Sequence, residues 1–143
     1  MGLPIDRDDR FKSLDPDEVR GQVEFSLPFL DDLAVVVLFS VFESIVRDNA
    51  VGLLRDRRSP ADHPVVSNTL RDAEESLREG SFFHVLEAYK GPVDVKLVEH
   101  VNQVRKYRNW VAHGRRATDP PDNVSPRAAY DRLGLFLATL GID

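Results

Sequence analysis

An arginine, an asparagine and a histidine lie close together in the stretch YRNWVAHGRR, residues 107–116. Arg108 precedes His113 by five residues. Asn109 precedes His113 by four, so Asn109 and His113 are neighbours on one face of a helix. A histidine can accept or donate a proton near neutral pH, and a guanidinium group can hold a phosphate. These residue types therefore suit acid–base chemistry on a phosphate ester.

Arg108 lies on the apolar side of its predicted helix. At about 100° per residue, it points within about 40° of the direction shared by the apolar residues of this helix. These residues are Leu97, Val101, Val104 and Val111. An unpaired charge there would be costly to bury, so we expect Arg108 to be ion-paired, at a subunit interface or open to a ligand cleft. Glu43 is the expected partner, as a purely structural contact or as a support that leaves other N–H groups for a phosphate.

In a continuous helix, Arg108 and His113 would point about 140° apart. Gly114 is suited to end a helix. We therefore predict that the helix ends at His113, where the chain can turn the imidazole toward the guanidinium. The alternative is a structural histidine that interacts with the helix dipole.

A basic window surrounds this pair. No acidic residue occurs from His100 to Thr118, although the chain has 24 of them and a net charge of −5. The cationic residues of the window are Arg105, Lys106, Arg108, Arg115 and Arg116. They could bind phosphates, and any contact with nucleic acid would be confined to this region. Tyr107 and Trp110 could stack on bases or pack in an interface.

The string from Arg108 to His113 resembles the R-x4-6-H motif of the HEPN superfamily, in which a polar residue, often Asn, follows the arginine. A long apolar helix ahead of the motif helix is a further similarity, as is the phrase Val41-Phe42-Glu43 within it. The resemblance spans roughly residues 29–140. It implies an all-α, HEPN-like domain and a metal-independent endoribonuclease of the toxin or antiviral type. Such proteins act on RNA as homodimers, with the two motifs facing one cleft.

The resemblance also implies roles for individual residues. Arg108, Asn109 and His113 would be catalytic, and Glu43 would support Arg108 from another helix. The RNA contacts would be Arg105, Lys106, Tyr107, Arg115 and Arg116. It implies no cofactor and no metal ion, and an antitoxin protein would be a further partner.

Two other interpretations stay open. Some HEPN relatives are catalytically silent, so the chain could be an interaction module or a subunit beside a nucleotidyltransferase-type partner. It could also be an unrelated helical protein in which Arg108 forms only a core ion pair with Glu43.

The whole chain is predicted to form one domain, residues 1–143, of about five or six helices and no strand, with residues 1–12 as a flexible arm. Asp15 is suited to cap a first helix that ends near Leu27, and Pro28 is expected to begin a long second helix. A strand over residues 34–38 is the weaker alternative. Asp31 and Asp32 are expected on a solvated face. Later helices are predicted over residues 65–79, 81–90 and 93–113, and from Pro126.

Composition excludes several classes of protein. Without cysteine there can be no disulfide, thiolate ligand or cysteine nucleophile. No histidine or carboxylate spacing fits a metal site. The longest apolar run, residues 33–39, is too short to span a bilayer, so we expect no membrane association. The lack of cysteine and of an apolar leader predicts a cytoplasmic protein.

Overall fold

The computed structural model of the chain describes residues 15–116 and 119–142. These residues form an all-α packed domain of five helices, and they contain no β-strand. The helices are α1 (Pro16–Arg55), α2 (Pro64–Glu79), α3 (Phe82–Ala88), α4 (Val95–Ala112) and α5 (Pro126–Thr139). The predicted all-α class is thus confirmed. The predicted arm, residues 1–12, lies outside the described residues.

α1 is a single helix of 40 residues that continues through Pro28. The predicted start is confirmed, because the Asp15 carboxylate accepts a hydrogen bond from the backbone N–H of Asp17 at 3.2 Å. The predicted break near Leu27 is wrong. A proline inside a helix leaves the carbonyl four residues earlier, here that of Glu24, without its partner. All residues from 15 to 31 are exposed, so water can satisfy this carbonyl.

The core lies between the second half of α1 and helices α3, α4 and α5. Phenylalanine rings occupy its centre. The ring of Phe42 packs edge-on against Phe82 and Phe136, with centroid distances of 6.1 and 5.3 Å. Aromatic pairs of this geometry add to the stabilisation from burial alone.

α2 contributes no fully buried residue, although Leu77 packs against the core, and ion pairs also join it to α1. The Glu74 carboxylate pairs with Arg55 at 2.6 Å and with Arg58 at 3.2 Å. No helix among the described residues is long and apolar enough to cross a membrane.

Candidate functional site

Arg108 is half-buried against α1, with 27% of its side chain exposed. Its Nη2 donates to Oε2 of Glu43 at 3.0 Å. Its Cζ lies 5.3 Å from the ring centroid of Phe39, a cation–π distance. The predicted pairing of Arg108 with Glu43 is therefore present, and part of the guanidinium still reaches solvent.

Glu43 is shared by a second arginine, which the motif alone does not indicate. Arg47 donates to Oε1 of Glu43 from Nη2 at 2.7 Å and from Nε at 3.0 Å. Arg47 also donates to the carbonyl oxygens of Leu77 and Gly80, at 2.6 and 2.9 Å, which ties α1 to the end of α2. The spacing of Glu43 and Arg47, four residues apart on one helix, is the sequence signal for this pair.

Arg105 completes a group that we call the arginine cluster, formed by Arg47, Arg105 and Arg108 around Glu43. Burial is the main cause that lowers the pKa of Arg105, and the charge of Arg108 lowers it further, while Glu43 opposes both. Two arginines thus pair with one carboxylate, and Arg105 lies within electrostatic reach of it. Such an excess produces a local positive potential that favours an anion.

Asn109 connects the cluster to the end of α4. Its Oδ1 accepts a hydrogen bond from Nη1 of Arg108 at 2.9 Å. No side-chain hydrogen bond joins Asn109 to His113 among the described residues, although the two are neighbours on one helical face. In helical projection, Asn109 lies about 100° from Arg108 and about 40° from His113. Asn109 therefore lies between Arg108 and His113 around the helix and holds Arg108 by this bond.

α4 ends where the sequence predicts. His113 is the C-cap residue, and Gly114 adopts a left-handed φ of 70°. The N–H of Gly114 donates to the carbonyl of Val111, and the N–H of Arg115 donates to that of Trp110, each at 2.9 Å. This is the Schellman pattern of helix termination, which needs a residue that tolerates positive φ after the cap.

His113 is exposed. Because α4 remains helical up to Ala112, Arg108 and His113 leave the helix in directions about 140° apart. No hydrogen bond joins them in the described chain. The convergence that we expect within one chain is not formed.

The remaining expected RNA contacts differ in accessibility. Lys106 and Arg116 are exposed, and Arg105 is half-buried. Tyr107 is only 5% exposed, so its ring has no free face for a base and packs instead. Arg115 is held in an ion pair with Asp32.

The exposure of Asp32 differs from the one that the sequence predicts. Asp32 is expected on a solvated face but is 6% exposed. Its Oδ1 accepts from the phenol of Tyr107 at 2.6 Å, and its Oδ2 pairs with Arg115. Asp32 precedes buried Val35 and Phe39 by three and seven residues, so it continues the buried face of α1. That spacing is the signal that could have revealed its burial.

Both residues that contact Asp32 have unusual properties, Tyr107 in its pKa and Arg115 in its backbone conformation. Burial first, and then the hydrogen bond to Asp32, raise the pKa of Tyr107 to about 12, so the phenol remains a donor at neutral pH. Arg115 adopts a φ of 58°, which is uncommon for a residue with a long side chain. Its Cζ lies 5.2 Å from the ring of Trp110 and 6.0 Å from that of Phe29. The ion pair and these stacked rings can offset the backbone strain.

A cavity of about 550 Å³ opens beside this group, between α1, the end of α4 and the segment before α5. We call it the α1–α4 pocket. Asp32, Tyr107, Trp110 and Arg115 line it, together with Glu24 and Asp31. The indole Nε1 of Trp110 is buried and has no hydrogen-bond partner. Within residues 15–116 and 119–142, no group of histidines and carboxylates could hold a metal ion.

Comparison with known proteins does not assign the chain to a family. No protein-family model, no curated protein and no solved structure matches it.

Proposed function

We propose that this chain is a HEPN-like, metal-independent endoribonuclease that acts as a homodimer. The observation that supports this most is the arginine cluster, in which partly exposed Arg108 lies beside Asn109 near the end of the helix that carries His113. Arg108 would bind the scissile phosphate, Asn109 would hold Arg108 in place, and His113 would exchange protons. Lys106 and Arg116, both exposed, would attract the RNA backbone.

The reaction needs two proton-transfer groups, and each chain offers one at this position. One histidine would take the proton of the 2′-hydroxyl, whose oxygen then attacks phosphorus. The bond from phosphorus to the 5′-oxygen breaks, and a second histidine protonates that oxygen. The products are a 2′,3′-cyclic phosphate and a 5′-hydroxyl. Arg108 would stabilise the negative charge of the phosphorane.

A second copy of the chain would supply the missing half of the site. Within one chain, Arg108 and His113 point apart, but His113 of one copy could face the arginine cluster of the other. α1 offers an exposed apolar stripe on which such a dimer could form, with residues three or four apart along one side of the helix. They are Val19, Val23, Leu27, Leu30, Leu33, Val37 and Val41.

The toxin or antiviral role, the cytoplasmic location and an antitoxin partner are supported only by the resemblance of residues 108–113 to the HEPN motif. We propose them as the biological setting of this activity.

The test is cleavage of end-labelled transfer RNA and messenger RNA in excess EDTA. We expect wild type to leave a cyclic phosphate. His113→Ala should lower the rate by about 10²- to 10⁴-fold, which is typical for loss of a general acid or base. His100→Ala is the matched control, because His100 is an exposed histidine of the same helix. Arg108→Lys tests the phosphate contact while it keeps a positive charge beside Glu43.

A catalytically silent interaction module is the second candidate. It is favoured by the hydrogen bonds that Arg108 already makes with Glu43 and Asn109 and by its divergence from His113. If folded, dimeric wild type is as inert as His113→Ala, the ribonuclease proposal is wrong and the module is preferred.

A further inference from the structure

The α1–α4 pocket has the size and the unsatisfied groups of a ligand site. Its volume of about 550 Å³ lies in the range of small-molecule pockets. The buried N–H of Trp110 lacks a partner, although nearly all buried polar groups in proteins have one. Because this N–H is closed off from solvent, it does not face the open pocket, and the polar groups available to a ligand are those of Arg115 and the carboxylates.

The two walls of the pocket offer opposite hydrogen-bonding character. Arg115 brings N–H donors from the C-terminal turn of α4. Glu24 and Asp31, seven residues apart on one face of α1, bring carboxylate acceptors. Among the described residues, neither carboxylate makes an ion pair. Asp32 is already engaged by Tyr107 and Arg115.

A second cation is a poor match for this site, despite the carboxylates. Arg115 already occupies the place of a cation, because it pairs with Asp32 and lies over the rings of Trp110 and Phe29. An incoming ammonium or guanidinium group would meet its charge. A flat, neutral ligand with acceptors on one edge and donors on another fits better.

Guanine has that arrangement. Its O6 and N7 are adjacent acceptors, the pair that arginine commonly recognises, and its N1–H and N2–H groups are adjacent donors that suit a carboxylate. Adenine, cytosine and uracil lack two adjacent donors of this kind.

The position of the pocket connects it with the proposed cleavage site. Trp110 and His113 are three residues apart on α4, which places their Cβ atoms about 5–6 Å apart. A nucleotide with its base in the pocket could place its ribose and phosphate beside His113 and exposed Arg116. The acidic lining would contact the base, while the phosphate stayed in the basic region outside.

We propose that the α1–α4 pocket binds a guanine base and selects the nucleotide whose 2′-oxygen attacks the phosphorus. The selection rests on the proposed ribonuclease function, whereas binding of the base does not.

Trp110 is the only tryptophan in the chain, so its fluorescence reports on the pocket without any need for cleavage. Wild-type protein would be titrated with 5′-GMP, 5′-AMP, 5′-IMP and argininamide. We expect 5′-GMP to change the emission with at least tenfold tighter binding than 5′-AMP. We expect 5′-IMP, which lacks the N2 amino group, to bind several-fold more weakly than 5′-GMP. Stronger binding of argininamide, or no difference between the nucleotides, would overturn the inference.

Asp31→Asn tests the donor edge of the base. We expect it to remove most of the preference for 5′-GMP over 5′-IMP. Asp48→Asn is the matched control, an exposed aspartate further along the same helix, and should keep the preference. Equal loss in both variants would contradict the assigned contact.

Cleavage separates this inference from the ribonuclease proposal. Cutting after all four nucleotides at equal rates would overturn guanine selection and leave the ribonuclease intact. Selective 5′-GMP binding by a protein that cleaves nothing would support the pocket and contradict the nuclease.

Discussion

Tyr107→Phe is expected to destabilise the protein in a way that depends on pH. The change removes one hydroxyl group, which donates to buried Asp32 at 2.6 Å. A hydrogen bond to a charged group contributes about 1.5–3 kcal/mol to stability. At about pH 8, we therefore expect the free energy of unfolding to fall by roughly 2–3 kcal/mol.

The raised pKa of Tyr107 sets the pH range in which its hydroxyl group stabilises the fold. Folding raises this pKa from about 10, the ordinary value, to about 12. A group with a raised pKa stabilises the fold below its unfolded pKa and loses that contribution as the pH passes its folded pKa. Two pKa units correspond to about 2.7 kcal/mol, a figure that contains the burial of the phenol, which is the larger cause, as well as its hydrogen bond to Asp32. The contribution should disappear between about pH 10 and about pH 12.

Urea unfolding of wild type and Tyr107→Phe across this pH range provides the assay. The stability difference should be constant up to about pH 9 and shrink by up to about 1.4 kcal/mol per pH unit above pH 10. Tyr130→Phe is the control, because Tyr130 is 61% exposed and should change neither quantity. The reasoning would be refuted if Tyr107→Phe were as stable as wild type at about pH 8, or if the stability difference between the two proteins did not change with pH.

Three further changes test other parts of the structure. Gly114→Ala should lower the free energy of unfolding by about 1 kcal/mol, because Gly114 has a φ of 70°. Gly134 lies inside α5 with open space around an added Cβ, so Gly134→Ala should raise the free energy of unfolding by about 0.5–1 kcal/mol. Thermal unfolding that ranks the two variants otherwise contradicts the assigned backbone. Glu43→Gln leaves two arginines without a carboxylate and should lower the free energy of unfolding by about 1–3 kcal/mol. Inorganic phosphate should raise the Tm of this variant more than that of wild type. Equal phosphate shifts would argue against an anion site. Phe42→Ala should cost about 3–5 kcal/mol in urea unfolding, against less than about 0.5 for Phe25→Ala, which is 72% exposed.

Features of local origin were predictable from the sequence. Asp15 caps α1, and Gly114 ends α4 through hydrogen bonds between residues a few positions apart. The pairing of Arg108 with Glu43 was also predictable, although 65 residues separate them, because a charge on an apolar helix face needs a partner and Glu43 lies within the longest apolar segment. The burial pattern and the charge balance leave few alternatives for such a contact.

Pro28 shows where a local rule fails. A proline inside a helix costs a hydrogen bond, but the cost depends on whether water can reach the freed carbonyl. Residues 15–31 lie on the exposed part of α1, and the sequence does not state this exposure. The helix therefore continues where the residue type predicts a break.

The α1–α4 pocket depends on tertiary structure alone. Asp32 lies 75 residues before Tyr107 and 83 before Arg115, and no motif connects the three. Their contact requires α1 to pack against α4 and the chain after Gly114 to turn back over Trp110. The sequence by itself determined where α1 begins and where α4 ends, because these follow from short-range hydrogen bonds, and it indicated the Arg108–Glu43 pair from the cost of burying a charge. Only tertiary packing decided that Asp32 is buried against Tyr107 and Arg115, because residues distant in sequence meet there when α1 packs against α4.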